Sequence, residues 1–420
     1  MSHDASAMLQ AARAPAPAAV PPESTNALLS EPMLVRLLRL TLPNLVAMLV
    51  TALVAICETA YVGILGTTEL AAIALVLPMV MLMQMLSAGA MGGGVSSAIS
   101  RALGAGEEAR AEALARHALA IGAIAGLCFS ATFVAFGPAL LRALGGRGPV
   151  LSQALAYANI ALSGAVLTWL LNTLASIIRG TGNMRVPSLA LLAASGLQIV
   201  LGGGLGLGIG AVSTPRSCRS GCRSHRGIGQ LHALSAALSA LRARATLKLR
   251  GVPLQREMFF GILKVGAVSA AGPLQVVLTV LILTRLVAGF GTAALAGYGI
   301  GARLEFLLVP IVFAIGIAGV PMVGMAIGAG NVARARRVAW TTAGVAILVL
   351  GTIGLAVTVA PELWSGLFTG DPAVRAAADV YLRWAGPGFA FVGRRLASTS
   401  PPRARQKFFP PCSRARCGWR

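Results

Sequence analysis

Charged residues are scarce in this chain: they make up 11% of its 420 residues, and aromatic residues make up 5%. A soluble domain carries more charge than this, and here hydrophobic residues reach 56%. The composition therefore excludes an ordinary soluble fold. Apolar runs long enough to cross a bilayer recur along the chain, which predicts an all-α polytopic membrane protein whose first partner is the lipid bilayer.

Several kinds of functional motif are also absent. The sequence has no HExxH, no Gly-x-Ser-x-Gly and no pair of acids at catalytic spacing, so we do not expect an enzyme. The six cysteines form no disulfide framework. Cys218, Cys222 and His225 have a spacing compatible with a metal ion, but their surroundings are of unusual composition, and we predict no metal and no cofactor.

The net charge of +22 comes from two short segments. Ser213–Arg250 and Arg394–Arg420 each hold eight Lys or Arg residues and no acid. Without them the chain has 19 basic and 13 acidic residues, a net charge of +6. The basicity therefore does not predict nucleic acid as a partner.

The apolar runs divide the chain into five parts. The Ala- and Pro-rich composition of residues 1–33 predicts a disordered tail. The apolar runs over 34–212 predict a first lobe of about five spans. An aberrant basic segment over 213–258 holds a degraded sixth span and a linker. Four spans over 259–393 predict an incomplete second lobe, and 394–420 form an aberrant basic tail.

An internal repeat relates the two lobes. Leu65–Leu75 reads LGTTELAAIAL and Phe290–Ile300 reads FGTAALAGYGI, at an offset of 225. Leu103–Ala111 reads LGAGEEARA and Ile327–Ala335 reads IGAGNVARA, at an offset of 224. Two similar halves in a membrane chain indicate a transporter with two pseudo-symmetric helical lobes.

Basic residues near the ends of short loops set the orientation. Arg36 and Arg39 precede the first span, which predicts a cytoplasmic N-terminus. We expect the protein to lie in the inner (cytoplasmic) membrane of the cell. The even-numbered links between spans then face the cytoplasm, and they carry most of the arginines, as the positive-inside rule requires. One outside link, Ser213–Gly227, breaks this rule with four arginines. His117 comes at a helix start on the cytoplasmic side, where we expect it to be solvated.

Glu58 is an acid inside the first apolar run. A charged acid at the centre of a membrane costs ~2.5–3.5 kcal/mol on insertion scales. Protonating a glutamic acid at pH 7 costs about 3.7 kcal/mol. Because the two costs are similar, a small change in hydration switches the group between its forms, which suits a proton-coupling site. The alternative is an acid near a helix end that reaches for the interface.

Further polar residues lie within spans. Glu305 is a candidate for a second-lobe cavity or for a structural hydrogen bond, and Arg303, two residues before it, does not face it on a helix. The first-lobe candidates are Asn172, Gln198, Tyr157 and Thr51, with Thr173, Gln84 and Asn44 as further polar span residues. Each of them alternatively makes hydrogen bonds between helices.

A set of motifs resembles the multidrug and toxic compound extrusion (MATE) family of cation-coupled exporters. It comprises Pro43 with Glu58, YVGILGTTELAA, LGAGEEARA, RGTGNMRVP, GARLEFLLVP and IGAGNVARARRVAW. The resemblance covers about Leu34–Val212 and Phe259–Gly393 and implies two six-helix lobes. About ten of twelve expected spans are recognisable.

The resemblance implies a function, and the sequence also departs from the family pattern in places. It implies a monomeric antiporter that exports small organic, often cationic, compounds in exchange for H⁺ or Na⁺, with Glu58 as the first-helix acid. It also implies polar positions near that acid, at Asn172 and Gln198. A fifth-helix acid found in some members is absent, with Gly202 at about its position. We expect the sixth span to be degraded and the last two to be missing.

Two alternatives remain open from the sequence. A lipid-linked saccharide flippase of the same superfamily would favour several basic residues inside spans, and almost none are present. A damaged gene would give a non-functional product, because the two basic segments have the composition of a GC-rich gene read out of frame. Another reading frame in each segment should then restore an apolar span.

Overall fold

The computed structural model describes residues 31–65, 67–206 and 256–398, and within these ranges every regular element is helical. The first lobe contains α1 (Met33–Leu65), α2 (Thr67–Gln84), a π-helical segment (Met85–Met91), α3 (Gly92–Gly104), α4 (Glu108–Ala143), α5 (Gly148–Ser163), α6 (Ala165–Gly180) and α7 (Arg185–Gly206). The second contains α8 (Arg256–Ala288), α9 (Thr292–Gly328), α10 (Val332–Val359), the short α11 (Glu362–Ser365) and α12 (Pro372–Ser398).

These helices confirm the all-α polytopic fold. Six of the described helical segments are long and apolar enough to cross a membrane, judged by length and hydropathy. Each clear apolar run over the described residues coincides with one helix or with consecutive helical segments. The second span consists of α2, the π-helical segment and α3, and the fourth consists of α5 and α6, which meet at Gly164.

The repeat in the sequence is also a repeat in the structure. Helices α2 and α9 begin at Thr67 and Thr292, and α4 and α10 begin at Glu108 and Val332. The turns before α4 and α10 use Gly106 and Gly330, with φ of +74° and +75°. Only glycine adopts this left-handed region without strain, so the same turn is encoded twice.

The two lobes meet at the end of the bundle where α3 and α9 finish. A Cβ atom on Gly104 would overlap the backbone of Met325, and one on Gly328 would overlap the backbone of Arg101. Arg101 and Met325 are themselves equivalent at the 224-residue offset. The contact is therefore reciprocal, as expected at a pseudo-two-fold axis. We call this closely packed region the Gly104 end.

Small residues also let α6 pack closely inside the first lobe. A Cβ on Gly92 of α3 would lie 2.5 Å from the hydroxyl of Ser176, and one on Gly122 of α4 would lie 2.6 Å from the hydroxyl of Thr173. Close approach through glycine is typical of membrane helices.

The prediction that His117 is solvated is wrong. This residue of α4 is 1% exposed, with Nδ1 2.7 Å from the carbonyl of Ala113.

The two basic segments lie mostly outside the described residues. Residues 207–255 and 399–420 are not described, so the predicted degraded sixth span, the linker and most of the basic tail remain predictions. Helix α12 ends at Ser398 and so takes in the first five residues of the 394–420 tail. The described residues do not test the reading-frame hypothesis either.

Candidate functional site

Helix α1 has an apolar outer face. Side chains at intervals of three or four residues form one exposed stripe along it, made up of Leu38, Leu42, Val46, Leu49 and Leu53. At 100° per residue these five positions fall within one quadrant of the helix. In a membrane-spanning helix this stripe is the surface that meets lipid.

Thr51 lies on the opposite face of α1 and is exposed all the same. Its neighbours on that face, Ala47 and Val54, are buried. Its hydroxyl donates to the carbonyl of Ala47 at 2.9 Å, as threonine commonly does within a helix. An exposed position in the middle of a buried face indicates open space beside this face of α1, which packs against α7 and against α9 of the second lobe.

Two more polar residues share the face of Thr51 at heptad spacing. Asn44 comes seven residues before it and Glu58 seven residues after it, and a step of seven returns to nearly the same side of a helix. Asn44 is fully buried, and neither side-chain atom has a hydrogen-bond partner among the described residues. The Glu58 side chain lies outside the described part of the structure. We call Asn44, Thr51 and Glu58 the inner-face stripe.

The depth of Glu58 follows from the backbone. The Gly182–Arg185 turn lies level with Arg36–Leu40, because both line one cavity. Counting about 1.5 Å per residue from that level, Glu58 lies ~28 Å along α1. Gly202 lies ~27 Å along α7 by the same count. Helices α1 and α7 pack side by side, and both begin at this cavity, so the two positions come to a similar depth.

Asn172 does not come to that depth. It lies in α6, ~16 Å from the Gly182–Arg185 level, and so ~12 Å nearer the Gly104 end than Glu58. Its side-chain amide donates to the hydroxyl of Ser87 at 2.8 Å and to Oε1 of Gln84 at 3.1 Å. Asn172 thus holds α6 to the π-helical segment.

The remaining first-lobe candidates are less well placed by the structure. Tyr157 is half-buried in α5 against the core of the lobe. The side chain of Gln198 lies outside the described part of the structure. Its backbone lies in α7, one helical turn before Gly202.

Replacing Asn172 with alanine should lower stability by about 0.6–1.7 kcal/mol, the range measured for hydrogen bonds between membrane helices. The loss arises because Ser87 and Gln84 lose their donor. Thermal unfolding in detergent measures it, with the exposed Asn159→Ala in α5 as the matched control. An unfolding temperature equal to that of the control contradicts the structural role. Loss of transport in a variant that remains equally stable would instead place Asn172 in the substrate path.

Glu305 in the second lobe takes part in an aromatic cluster between α9 and α12. The Tyr381 hydroxyl donates to Oε1 of Glu305 at 2.5 Å. The rings of Tyr381 and Tyr298 meet edge to face, with centroids 5.3 Å apart. Arg303, two residues from Glu305, turns away and stacks over Phe368 at 5.3 Å. This half-buried acid therefore has a hydrogen-bonding role, and the predicted second-lobe cavity at Glu305 remains a prediction.

The sequence did not predict Tyr381 as the partner of Glu305, because Tyr381 belongs to another helix. Tyr298 lies seven residues before Glu305 on α9, and its ring contacts Tyr381. Heptad spacing is a local signal, and that of the inner-face stripe is likewise visible in the sequence itself. Asn44, Thr51 and Glu58 are polar positions in an otherwise apolar run, at steps of seven.

Comparison with known proteins identifies relatives along most of the chain. The MatE family profile matches residues 43–202 and 270–400. The chain is similar to the FAD transporter of Shewanella oneidensis, with 27% identity over 74% of this chain and 69% of that protein. It is also similar to the multidrug export protein MepA of Staphylococcus aureus, with 24% identity over 65% of this chain and 60% of MepA.

Solved structures share the fold. An outward-facing multidrug resistance MATE family transporter of the MOP superfamily superposes with a TM-score of 0.80 at 23% identity, covering 91% of this chain and 84% of that one. A MOP superfamily transporter from Pyrococcus furiosus superposes with a TM-score of 0.81 at 23% identity and the same coverage.

Proposed function

This chain belongs to the MATE family of efflux transporters, and from that premise we propose that it is a cation-coupled antiporter. It exports organic, often cationic, compounds across the cytoplasmic membrane in exchange for H⁺ or Na⁺, as a monomer with a cytoplasmic N-terminus. The family and the fold point to a membrane transporter and not to an enzyme.

The observation that carries the proposal is the inner-face stripe. Thr51 is exposed on the face of α1 that otherwise packs against other helices, and position 58 follows two helical turns deeper on that face. An acid inside a membrane span is functional by default. Here a hydroxyl and a carboxylate share one side of the helix, and oxygens of both kinds serve as ligands for Na⁺ or as a path for protons.

The single acid fixes how coupling works in this proposal. Gly202 replaces the fifth-helix acid at the depth of Glu58, so the coupling ion and an organic cation compete for one carboxylate. A protonated or Na⁺-bound Glu58 no longer attracts the cationic substrate, which then leaves. The empty, charged form binds the next substrate from the other side. This exchange needs no second acid in the first lobe.

Alternating access requires the two lobes to separate at one end while closing at the other. The reciprocal packing of Gly104 and Gly328 supports a closed state at the Gly104 end, where most arginines of the short loops lie. By the positive-inside rule that end faces the cytoplasm. The opposite state of the cycle must part these glycines.

Transport in vesicles tests the proposal. Purified protein is reconstituted with a fluorescent organic cation, and its movement is followed under an imposed pH gradient, an imposed Na⁺ gradient, or neither. We expect movement of the cation only with a gradient, compared with protein-free vesicles. Equal rates with and without both gradients would contradict coupling, and no movement under any condition would support a non-functional product.

The similarity to a FAD transporter favours a second candidate, an anionic dinucleotide as substrate. From Leu40 to Leu65 the first span has no Lys or Arg, and from Val186 to Gly206 the fifth has none. If Glu58 is the charged group of the substrate cavity, as proposed here, that cavity repels an anionic dinucleotide. FAD is fluorescent and serves in the same vesicle assay, so transport of FAD without transport of the cation would replace the first candidate by the second.

A further inference from the structure

A basic cavity lies at the Gly104 end of the first lobe, away from Glu58. It has a volume of about 330 Å³ and lies between the start of α1 and the turn before α7. The residues that line it include Arg36, Arg39 and Arg185 together with Asn183. We propose that this cavity binds the phosphate headgroup of an anionic phospholipid.

The charges in the cavity are not balanced by protein groups. Glu31 is the acid beside it, at 3.2 Å from Arg36 and 3.8 Å from Arg39. Arg185 forms no ion pair within the described ranges. Nε of Arg36 is buried without a hydrogen-bond partner among the described residues. Three guanidinium groups against one carboxylate leave a site that attracts an anion, and guanidinium matches the geometry of phosphate.

Hydrogen bonds fix the backbone on both sides of the cavity. Oδ1 of Asn183 accepts hydrogen bonds from the backbone N–H groups of Arg185 at 3.1 Å and Val186 at 3.2 Å, which holds the first turn of α7. Glu31 is itself held from the second lobe, because the guanidinium of Arg334 donates to its carbonyl at 2.9 Å. These contacts fix the backbone at Arg185 and the position of Glu31 beside Arg36 and Arg39.

The apolar surface beside the cavity favours a lipid over a soluble phosphate. Leu42 follows Arg39 by three residues on α1, and Leu189 follows Arg185 by four on α7, so each lies one turn deeper on the same face. Both leucines are 63% exposed. A headgroup at the arginines would lie with its acyl chains along this apolar groove. Basic cavities between membrane helices on the cytoplasmic side are suited to anionic headgroups.

Lipid retention by the full-length protein tests this site. The protein in detergent is mixed with phosphatidylglycerol or phosphatidylcholine, and bound lipids are counted by native mass spectrometry. The variant is Arg39→Gln/Arg185→Gln. The matched control is Arg142→Gln/Arg147→Gln, which removes two exposed arginines at the opposite end of the bundle.

We expect wild type and control to retain one phosphatidylglycerol that the cavity variant binds about tenfold more weakly or worse, since each arginine adds to attraction for an anionic lipid. Phosphatidylcholine should be retained equally by all three. Equal affinity of the cavity variant and the control for phosphatidylglycerol would overturn the site. Displacement of that lipid by inorganic phosphate at the same concentration would overturn the assignment to a lipid. Thermal unfolding without lipid verifies that the variant is folded.

Discussion

Replacing Glu58 with glutamine should lower gradient-driven export of an organic cation by about 5- to 150-fold, the range of a coupling free energy of about 1–3 kcal/mol. Glutamine is nearly isosteric with protonated glutamic acid but cannot release the proton. It therefore keeps the fold while removing the exchange between ion and substrate. The measurement is efflux from vesicles with an imposed pH gradient, normalised to the amount of folded protein.

The matched control for this experiment is Glu362→Gln. Glu362 is an exposed acid in the short helix α11, between the helices α10 and α12. It should transport at the wild-type rate. If Glu58→Gln does so as well, Glu58 is not the coupling site, and Glu305 becomes the leading candidate. A response to a Na⁺ gradient with no dependence on pH keeps the site and identifies Na⁺ as the ion.

Replacing Gly104 with alanine should lower transport by about tenfold or more, because overpacking of a well-packed contact costs about 1–3 kcal/mol. The added methyl would overlap the backbone of Met325. Backbone atoms cannot rotate away as a side chain does, so α3 and α9 must separate. The same result is expected for Gly328→Ala, since its methyl would overlap the backbone of Arg101.

The control for the glycine variants is Gly344→Ala in α10. Gly344 is exposed, and a Cβ atom there has nothing within 4 Å. Alanine should be neutral or stabilise the helix by about 0.5–1 kcal/mol. A second readout is maleimide labelling of Ser100→Cys, a fully buried position beside Gly324. Labelling should be faster in Gly104→Ala. Wild-type transport together with slow labelling would contradict a closure that needs these glycines.

The sequence alone determined the membrane-spanning helices and the two related lobes. Apolar length decides whether a segment crosses a bilayer, and glycine decides where a left-handed turn is possible. For that reason the turns at Gly106 and Gly330 are recognisable as a repeat in the amino-acid sequence. Family membership followed from the same motifs. The stripe of Asn44, Thr51 and Glu58 is also recognisable in the sequence, because heptad spacing is a local property of one helix.

Only the tertiary structure decided which helices meet and at what depth. It put Gly104 against Met325, gave Glu305 the hydroxyl of Tyr381 as a partner, and buried His117, which the sequence alone had suggested was solvated. It also set Asn172 in a different layer from Glu58 and brought Arg39 and Arg185 to one cavity. These contacts join residues far apart in the chain, and their partners depend on how helices pack, which local periodicity does not encode.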